Sequence, residues 1–376
     1  MQTLIKASDL ERIGFENGLD AFGIAKAEQF SKTLEILKAR KEQGLHAGMD
    51  FTYRNPVRST TPTITMPDAK SLLVGARSYW KPQEGAFDGS DPQGKVALYA
   101  QENYYERLRE GLSAIADKLE SKGYRTIILI DDNALVDREA AYQAGLGWYG
   151  KNANILIPKR GSWFVLGSIL TNANFEPNTP IKENCGPCTK CINACPTEAI
   201  ISSGVIDSNR CLAWLVQSPK DFPPEFREAL GEKIYGCDDC QDICPINKYE
   251  ERVGDLKTRQ NKSTVSIFDI LEEDDETLIT RYGQWYIPQR DPRYLRRNAL
   301  LVLGNIGNTE SKKVQAIVSR YLESPDSMLR SYAVWTAKRL GFTNLLTGME
   351  NDGSEDVQRE LALQVKPVDK TPKVKN

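Results

Sequence analysis

The chain has 376 residues, of which 40% are hydrophobic and 27% are charged, and its formal net charge at pH 7 is −2. This composition excludes a disulfide-stapled peptide and a chain that is disordered throughout, and the length predicts two or three domains. No apolar run approaches the ~20 residues of a bilayer helix, and the first residues lack a signal-peptide pattern. We therefore expect a cytoplasmic protein without a membrane partner.

Residues 1–175 mix the apolar spacing of helices with that of strands, which predicts an α+β domain. A long amphipathic helix is expected over residues 104–122, and a shorter helix is expected to end at Gly145. The predicted strands cover residues 21–25, 71–76, 126–130, 155–158 and 162–170. The last two strands are expected to form a hairpin through Lys159, Arg160 and Gly161.

All eight cysteines lie between Cys185 and Cys244. Clustered thiols in a cytosolic chain indicate metal ligands more often than disulfides. The first group has the C-x2-C-x2-C-x3-C-P spacing of bacterial ferredoxins, in which the fourth thiolate binds the other cluster. This group is Cys185, Cys188, Cys191 and Cys195. The second group repeats the C-x2-C-x3-C-P ending and takes its missing member from further upstream in the chain. Its members are Cys211, Cys237, Cys240 and Cys244.

These spacings predict two 4Fe-4S clusters with interleaved ligands. One cluster is assigned to Cys185, Cys188, Cys191 and Cys244. The other is assigned to Cys195, Cys211, Cys237 and Cys240. A pair of four-thiolate zinc sites is the alternative, although such sites normally appear as separated C-x2-C pairs. Two neighbouring clusters would pass electrons one at a time to an acceptor elsewhere in the protein.

The C-terminal part is expected to begin with an acidic linker over residues 251–280 and to continue as helices. Asp291-Pro292 and Ser324-Pro325 each mark the start of a helix, because proline is favoured in the first helical turn. The sequence distance between the starts of these two helices resembles the repeat length of HEAT-type proteins. A small helical bundle without repeats is the alternative.

This helical part is basic, since residues 281–340 contain eleven Lys or Arg and four acidic residues. Arginines interleaved with Trp and Tyr suit contacts with phosphates and bases of RNA. A solvated helix face with buried aromatic rings explains the same pattern, so both interpretations stay open. The candidate RNA-binding residues are Arg290, Arg293, Arg296, Arg297, Arg330, Lys338 and Arg339.

Two motifs of the α+β domain are the segments IDDNALVDR at residues 130–138 and AGLGWYGKN at residues 144–152. Together with both cysteine groups and the helical tail, they resemble the epoxyqueuosine reductase family. The approach Tyr235-Gly236-Cys237 is also similar. The resemblance implies reduction of the epoxide on a modified tRNA wobble base to an alkene, with two electrons and two protons and release of water. It also implies that electrons pass through the two clusters to cobalamin.

The resemblance implies roles for particular residues. Asp131 matches the proton donor, although a helix cap formed with Asp132 and Asn133 is the structural alternative. The residues that match the cobalamin site are Arg58, Asp131, Gly147, Lys151 and Asn152. The D-x-H-x-x-G signature is absent, which predicts base-off cobalamin without a protein imidazole. The chain has Asn103-Tyr104-Tyr105 where family members commonly carry Asp-Tyr-His, so no role is assigned there.

The resulting prediction is an enzyme of three parts. Residues 1–175 form a corrinoid-binding domain resembling an α/β sandwich, and residues 176–250 form a ferredoxin-like domain with two clusters. Residues 251–376 comprise the acidic linker and a HEAT-like domain that docks the tRNA anticodon arm. An external electron donor of unknown identity completes the system. A corrinoid reductase of a small molecule, similar to reductive dehalogenases, and a non-catalytic electron carrier with a binding scaffold are the alternatives.

Overall fold

The structure is a computed structural model that describes residues 5–81, 91–248 and 263–368. The described residues divide into two compact units. Unit 1 comprises residues 5–81, 102–211 and 238–248, and unit 2 comprises residues 91–101, 212–237 and 263–368. This division differs from the three consecutive domains that the sequence predicts, because the cysteine-bearing segment contributes residues to both units. The three-domain boundaries therefore stay a prediction.

The helices are α1 Ala7–Glu16, α2 Ser31–Glu42, α3 Phe51–Arg54, α4 Pro56–Thr60, α5 Pro62–Thr65, α6 Tyr104–Glu120, α7 Asp137–Gln143, α8 Lys190–Ala194, α9 Leu212–Leu215, α10 Pro224–Leu230, α11 Asp239–Asp242, α12 Ile267–Glu272, α13 Asp275–Arg281, α14 Arg293–Ile306, α15 Lys312–Leu322, α16 Ser327–Leu340 and α17 Glu355–Ala362. Within the described ranges, no helix has both the length and the apolar character needed to cross a membrane. The strands are β1 Ala21–Lys26, β2 Ser71–Ser78, β3 Gln93–Val96, β4 Thr126–Ile130, β5 Trp148–Tyr149, β6 Ile155–Leu156, β7 Phe164–Thr171, β8 Ile200–Ser202, β9 Val205–Ile206, β10 Lys233–Tyr235 and β11 Thr264–Ser266.

Unit 1 is built on a four-stranded antiparallel sheet with the strand order β1, β2, β7, β4. Side chains alternate between the two faces of each strand. Leu72 and Val74 of β2 therefore pack into the buried cluster that includes Ala140 of α7. The other face of β2 meets α6, where Leu112 lies against Gly75. The structure confirms the predicted α+β fold, with helices packed on both faces of the sheet.

The predicted hairpin between residues 155–158 and 162–170 is wrong. The strand β6 pairs with β5, whereas β7 pairs with β2 and β4. A single bridge joins Ile157 of the first predicted strand to Gly161 of the predicted turn. A side chain at Gly147 would collide with the backbone oxygen of Leu156. The glycine therefore permits the close β5–β6 pairing that replaces the expected hairpin.

Unit 2 combines a small sheet with helices. Its strand order is β10, β3, β11, with β3 parallel to β10 and antiparallel to β11. The prediction of a linker is wrong for residues 263–280, because they form β11, α12 and most of α13 and bury Ile267 and Phe268. Residues 251–262 of that linker lie outside the described residues. Helices α14 and α16 begin near the predicted positions, and the HEAT-like repeat stays a prediction.

Candidate iron-sulfur centre and active site

Four cysteines that lie far apart in the sequence line one small cavity in unit 1. They are Cys185, Cys188, Cys191 and Cys244, the set that the spacing assigns to the first cluster. Burial raises the pKa of the Cys191 and Cys244 thiols, and the neighbouring thiols raise both pKa values further. Crowded thiols of this kind are stabilised as thiolates when they bind a metal centre.

The number of thiols around the cavity matches the ligand set of a 4Fe-4S cluster. Among residues 5–81, 91–248 and 263–368, no group of three or more Cys, His, Asp or Glu side chains converges on the position of one metal ion. A 4Fe-4S cubane takes one thiolate on each of four irons, so its ligands surround a wider space. The four thiols around this cavity supply the ligand chemistry that such a cluster requires.

The second predicted ligand set is divided by the boundary between the units. Cys195, Cys211 and Cys240 belong to unit 1, whereas Cys237 is the last residue of a segment in unit 2. The eight cysteines are half-buried thiols. The Sγ of Cys195 accepts a hydrogen bond from the backbone N–H of Ala199, at 3.2 Å. Hydrogen bonds to sulfur tune the potential of iron-sulfur clusters. The ligand role of this set stays a prediction.

The glycine-rich turn after β5 contacts the cysteine loops. Lys151 donates from Nζ to the backbone oxygen of Gly186 at 2.8 Å, between the first two cysteines of the first set. Asn152 is buried and donates from Nδ2 to the backbone oxygen of Cys240 at 3.3 Å. The sequence motif assigned both residues to a cobalamin site, and it gave no signal for these contacts with the cysteine loops.

Asp131 directly follows β4, an edge strand of the four-stranded sheet whose last two residues, Leu129 and Ile130, are buried. Its φ of +50° lies in the left-handed region, which non-glycine residues seldom adopt and which often marks functional sites. The alternative interpretation as a helix cap is wrong, because α7 begins six residues later and its N-cap is Val136. The Asp131 side chain is therefore not occupied in capping that helix.

Neighbouring side chains hold the loop that carries Asp131. Asp132 accepts a hydrogen bond on Oδ1 from the backbone N–H of Ala134, at 2.8 Å. Arg58 donates from its guanidinium to Oδ1 of Asn133 at 2.8 Å, and Ser59 donates to the backbone oxygen of Asn133 at 2.6 Å. The predicted site residues Arg58 and Asp131 thus belong to one local structure, in which α4 supports the loop.

Two carboxyl groups at this loop have perturbed acidity. The surrounding protein raises the pKa of Asp131, and the nearby Asp132 raises it further. Asp131 nevertheless remains exposed to solvent, so it can exchange protons. Burial places the pKa of Asp137 well above its usual value, and repulsion from Asp131 adds to this shift. Sequence reasoning missed Asp137, although it lies within the IDDNALVDR motif.

Arg297 is not available for RNA, which corrects its assignment as a tRNA-binding residue. It lies on α14 with no solvent exposure, and its guanidinium donates to backbone oxygens at the end of α9 and in the segment after it. The acceptors are Leu215, Val216, Ser218 and Lys220. Burial lowers the pKa of this guanidinium. The residue therefore stabilises unit 2 from within.

We expect Arg297→Met to lower the free energy of unfolding by about 3 kcal/mol, because several buried carbonyl groups lose a charged donor. Urea denaturation followed by circular dichroism measures the change. Lys312→Ala, which removes an exposed cation from α15, should change stability by less than about 0.5 kcal/mol. A fully stable Arg297→Met protein with weakened RNA binding would contradict the structural role.

Most of the other candidate RNA-binding residues have partners within unit 2. Arg330 pairs with Asp352 at 2.8 Å, Arg296 pairs with Asp275, and Arg339 pairs with Glu228. Lys338 donates to backbone oxygens at the end of α17. Arg290 and Arg293 also have partners, the backbone oxygen of Gly283 at 2.9 Å and the carboxylate of Asp291 at 3.0 Å. Arg290 is nevertheless exposed, and about two fifths of the Arg293 side chain is accessible. These two residues keep the greatest access to an external phosphate among the seven.

Comparison with known proteins agrees with the thiol geometry. Residues 184–247 match the family model of the 4Fe-4S double cluster binding domain. The fold and the site therefore define an iron-sulfur oxidoreductase with a two-cluster domain, and the zinc alternative is wrong. The epoxyqueuosine reductase of Vibrio cholerae is 32% identical over 80% of this chain and 83% of its own length. The chain belongs to the epoxyqueuosine reductase family, as the sequence motifs predict.

Solved structures support the same assignment. An epoxyqueuosine reductase bound to an epoxyqueuosine-modified tRNA-Tyr stem loop matches with a TM-score of 0.85 and 28% identity, covering 94% of this chain and 96% of that chain. A Bacillus subtilis epoxyqueuosine reductase, described as having its catalytic loop swung out of the active site, matches with a TM-score of 0.84 and 27% identity. The match covers 94% of this chain and 96% of that chain.

Proposed function

We propose that this protein reduces epoxyqueuosine to queuosine at the wobble position of tRNA in the cytoplasm. Electrons from an external donor would pass through two 4Fe-4S clusters to base-off cobalamin. The observation that carries the proposal is the cavity lined by four thiols and by Gly150, Lys151 and Asn152. A small-molecule corrinoid reductase is less well supported, since family relatives act on epoxyqueuosine and one was solved with a modified tRNA stem loop.

The polar residues of unit 1 fit a corrinoid. Cobalamin, when bound, supplies a reducible cobalt that delivers electrons to the epoxide. The only histidine, His46, packs beside Tyr53 at 5.4 Å between ring centroids, which is consistent with a cobalt that takes no protein imidazole. Arg58 and Lys151 carry five and three N–H donors, respectively, and can bind corrinoid amides or phosphate beside their protein acceptors. Gly147 and Asn152 would complete this surface together with Asp131.

Asp131 would provide the proton for epoxide opening. Cleavage of the epoxide C–O bond leaves an alkoxide, which needs an acid close to its oxygen. A carboxyl group with a raised pKa retains its proton at higher pH than an ordinary aspartate. Asp131 would donate that proton to the oxygen, which leaves as water after a second proton is added. Two electrons and two protons thus convert the epoxide into an alkene and water.

The strongest support for a base-stacking site in unit 2 is the exposed ring of Tyr286, which is 58% accessible. Its backbone N–H donates to the hydroxyl of Tyr235 at 2.7 Å, and the Tyr235 ring stacks on Trp285 with centroids 4.5 Å apart. The other candidate aromatic residues of this segment are buried. They are Trp285, Tyr294, Tyr332 and Trp335.

The backbone beside Tyr286 also has unusual geometry. Gln289 and Arg290 both have positive φ, at +54° and +58°, and Arg290 donates to the backbone oxygens of Gly283 and Ile279. Consecutive left-handed non-glycine residues are strained and occur preferentially at functional sites. A rigid ring next to an arginine is typical of surfaces that stack RNA bases. These features support a proposed tRNA contact at Tyr286, Arg290 and Arg293.

We expect Tyr286→Ala to weaken binding of an unmodified anticodon stem-loop RNA about five- to a hundredfold, because base stacking contributes ~1–3 kcal/mol. Fluorescence anisotropy measures the Kd over a range of salt concentrations. Tyr286→Phe should bind like the wild type, since it keeps the ring. Arg290→Ala should reduce the slope of log Kd against log salt concentration by the amount expected for about one phosphate contact. Tyr286→Ala should leave that slope unchanged. Unchanged affinity of Tyr286→Ala would exclude the stacking contact.

The proposed reaction is tested directly with the full chain. The protein is reconstituted anaerobically with iron, sulfide and cobalamin, desalted, reduced with a low-potential donor and mixed with a tRNA stem loop that contains epoxyqueuosine. Mass spectrometry of the nucleosides should show loss of one oxygen and formation of queuosine. Protein that holds both clusters and cobalamin but forms no queuosine would refute the proposed function.

A further inference from the structure

Lys151 lines the same cavity as the thiols of the first predicted cluster. It belongs to the Gly150-Lys151-Asn152 turn, which lines the cavity of the first thiol set. The hydrogen bond from its Nζ to the oxygen of Gly186, at 2.8 Å, fixes the ammonium group at the loop between Cys185 and Cys188. A lysine held in this way keeps its positive charge at a constant position beside the thiols.

The loop that accepts this hydrogen bond is itself ordered by local contacts. Gly186 has a φ of +51°, and its N–H donates to Oδ1 of Asn184 at 2.8 Å. The N–H of Cys188 donates to the backbone oxygen of Cys185 at 3.1 Å. The Gly186 oxygen is therefore a defined acceptor, and a change at Lys151 can alter the local charge while these other contacts remain.

The charge has a predictable electrostatic effect. A cubane with four thiolates is negatively charged, and reduction adds one more electron. A nearby positive charge stabilises the reduced state more than the oxidised state, and it does so more strongly where protein partly excludes water. Lys190 also lines the cavity, but it is exposed, whereas Lys151 is half-buried. Solvent therefore screens Lys190 more strongly than Lys151.

We propose that Lys151 is a positioning residue that raises the reduction potential of the cluster held by Cys185, Cys188, Cys191 and Cys244. The inference rests on this proposed ligand set and not on the identity of the substrate. Family resemblance places the turn that carries Lys151 against the corrinoid. The positive charge of Lys151 would therefore favour transfer of an electron onto the first cluster, which is the cluster next to that turn.

The test is an EPR-monitored redox titration of the anaerobically reconstituted full chain. Lys151→Gln removes the charge but keeps an N–H donor for the Gly186 oxygen. We expect about a tenfold shift of the one-electron equilibrium towards the oxidised first cluster, which corresponds to 59 mV. The second cluster should keep its potential. The signal of the first cluster is identified by its loss in Cys244→Ala.

Two further variants separate a fixed charge from total charge. Lys151→Arg should retain the wild-type potential, and Lys190→Gln should shift it much less than Lys151→Gln. An unchanged potential in Lys151→Gln, or an equal shift in Lys190→Gln, would overturn the inference. Loss of the first cluster from Lys151→Gln, detected by iron analysis, would also overturn it, because Lys151 would then act in cluster assembly. These results do not depend on queuosine formation, so they are independent of the reaction assay.

Discussion

Cys244→Ala should retain about half of the iron and lose all turnover. The structure places Cys244 at the cavity with Cys185, Cys188 and Cys191, so its removal deprives the first cluster of its fourth thiolate. The second cluster keeps its proposed ligands, and electrons no longer have a continuous path to the reaction. Iron analysis and EPR of anaerobically purified protein measure cluster loss, and the queuosine assay measures turnover.

Double variants test whether the ligands are interleaved. Cys185→Ala combined with Cys244→Ala should lose no more iron than either single variant, because both residues serve the same cluster. Cys185→Ala combined with Cys195→Ala should lose both clusters, although these residues belong to one sequence group. Survival of one intact cluster in that second combination would show that the ligand sets follow the sequence groups. Both double variants carry two substitutions, so a difference in iron content between them reflects which cysteines were removed.

Local patterns predict the elements of unit 1 well because they depend on residue spacing. The strands β2 and β4 and the helix α6 lie where alternating or helical apolar patterns indicate them. The hairpin failed because strand partners depend on tertiary contacts. Gly147 allows the backbone of Leu156 to approach, and β7 instead fits between β2 and β4. A run of apolar residues in the sequence does not indicate which other strand it will pair with.

Arg297 shows a similar limit for the site. Residues Tyr294, Arg297 and Leu301 share one face of α14, and all three are buried. Helical spacing therefore placed Arg297 on the inner face, but its charge suggested an RNA contact. Apart from Oδ1 of the adjacent Asn298, its acceptors are backbone oxygens distant in the sequence. Every residue carries such an oxygen, so the sequence does not show which ones accept from Arg297. The contact of Lys151 with Gly186 was hidden for the same reason.

Asp131→Asn should lower kcat by about 10²- to 10⁴-fold, the usual contribution of a general acid. Asparagine also tolerates the left-handed φ of +50°, so the loop conformation should persist. The raised pKa of Asp131 determines the pH range in which kcat changes. A proton donor must be protonated, so wild-type kcat should fall as pH rises through that pKa, and the variant should lack this fall. Anaerobic single-turnover kinetics measure both effects.

Asp132→Asn is the matched control, since it removes a neighbouring carboxylate and keeps an oxygen that can accept from Ala134. The charge of Asp132 raises the pKa of Asp131, so its loss should move the fall in kcat to lower pH. The kcat at low pH should then remain close to that of the wild type. If Asp131→Asn, with intact clusters, keeps the wild-type rate and pH profile, another group donates the proton. Asp137, whose pKa is also raised, would then be the next carboxyl to replace.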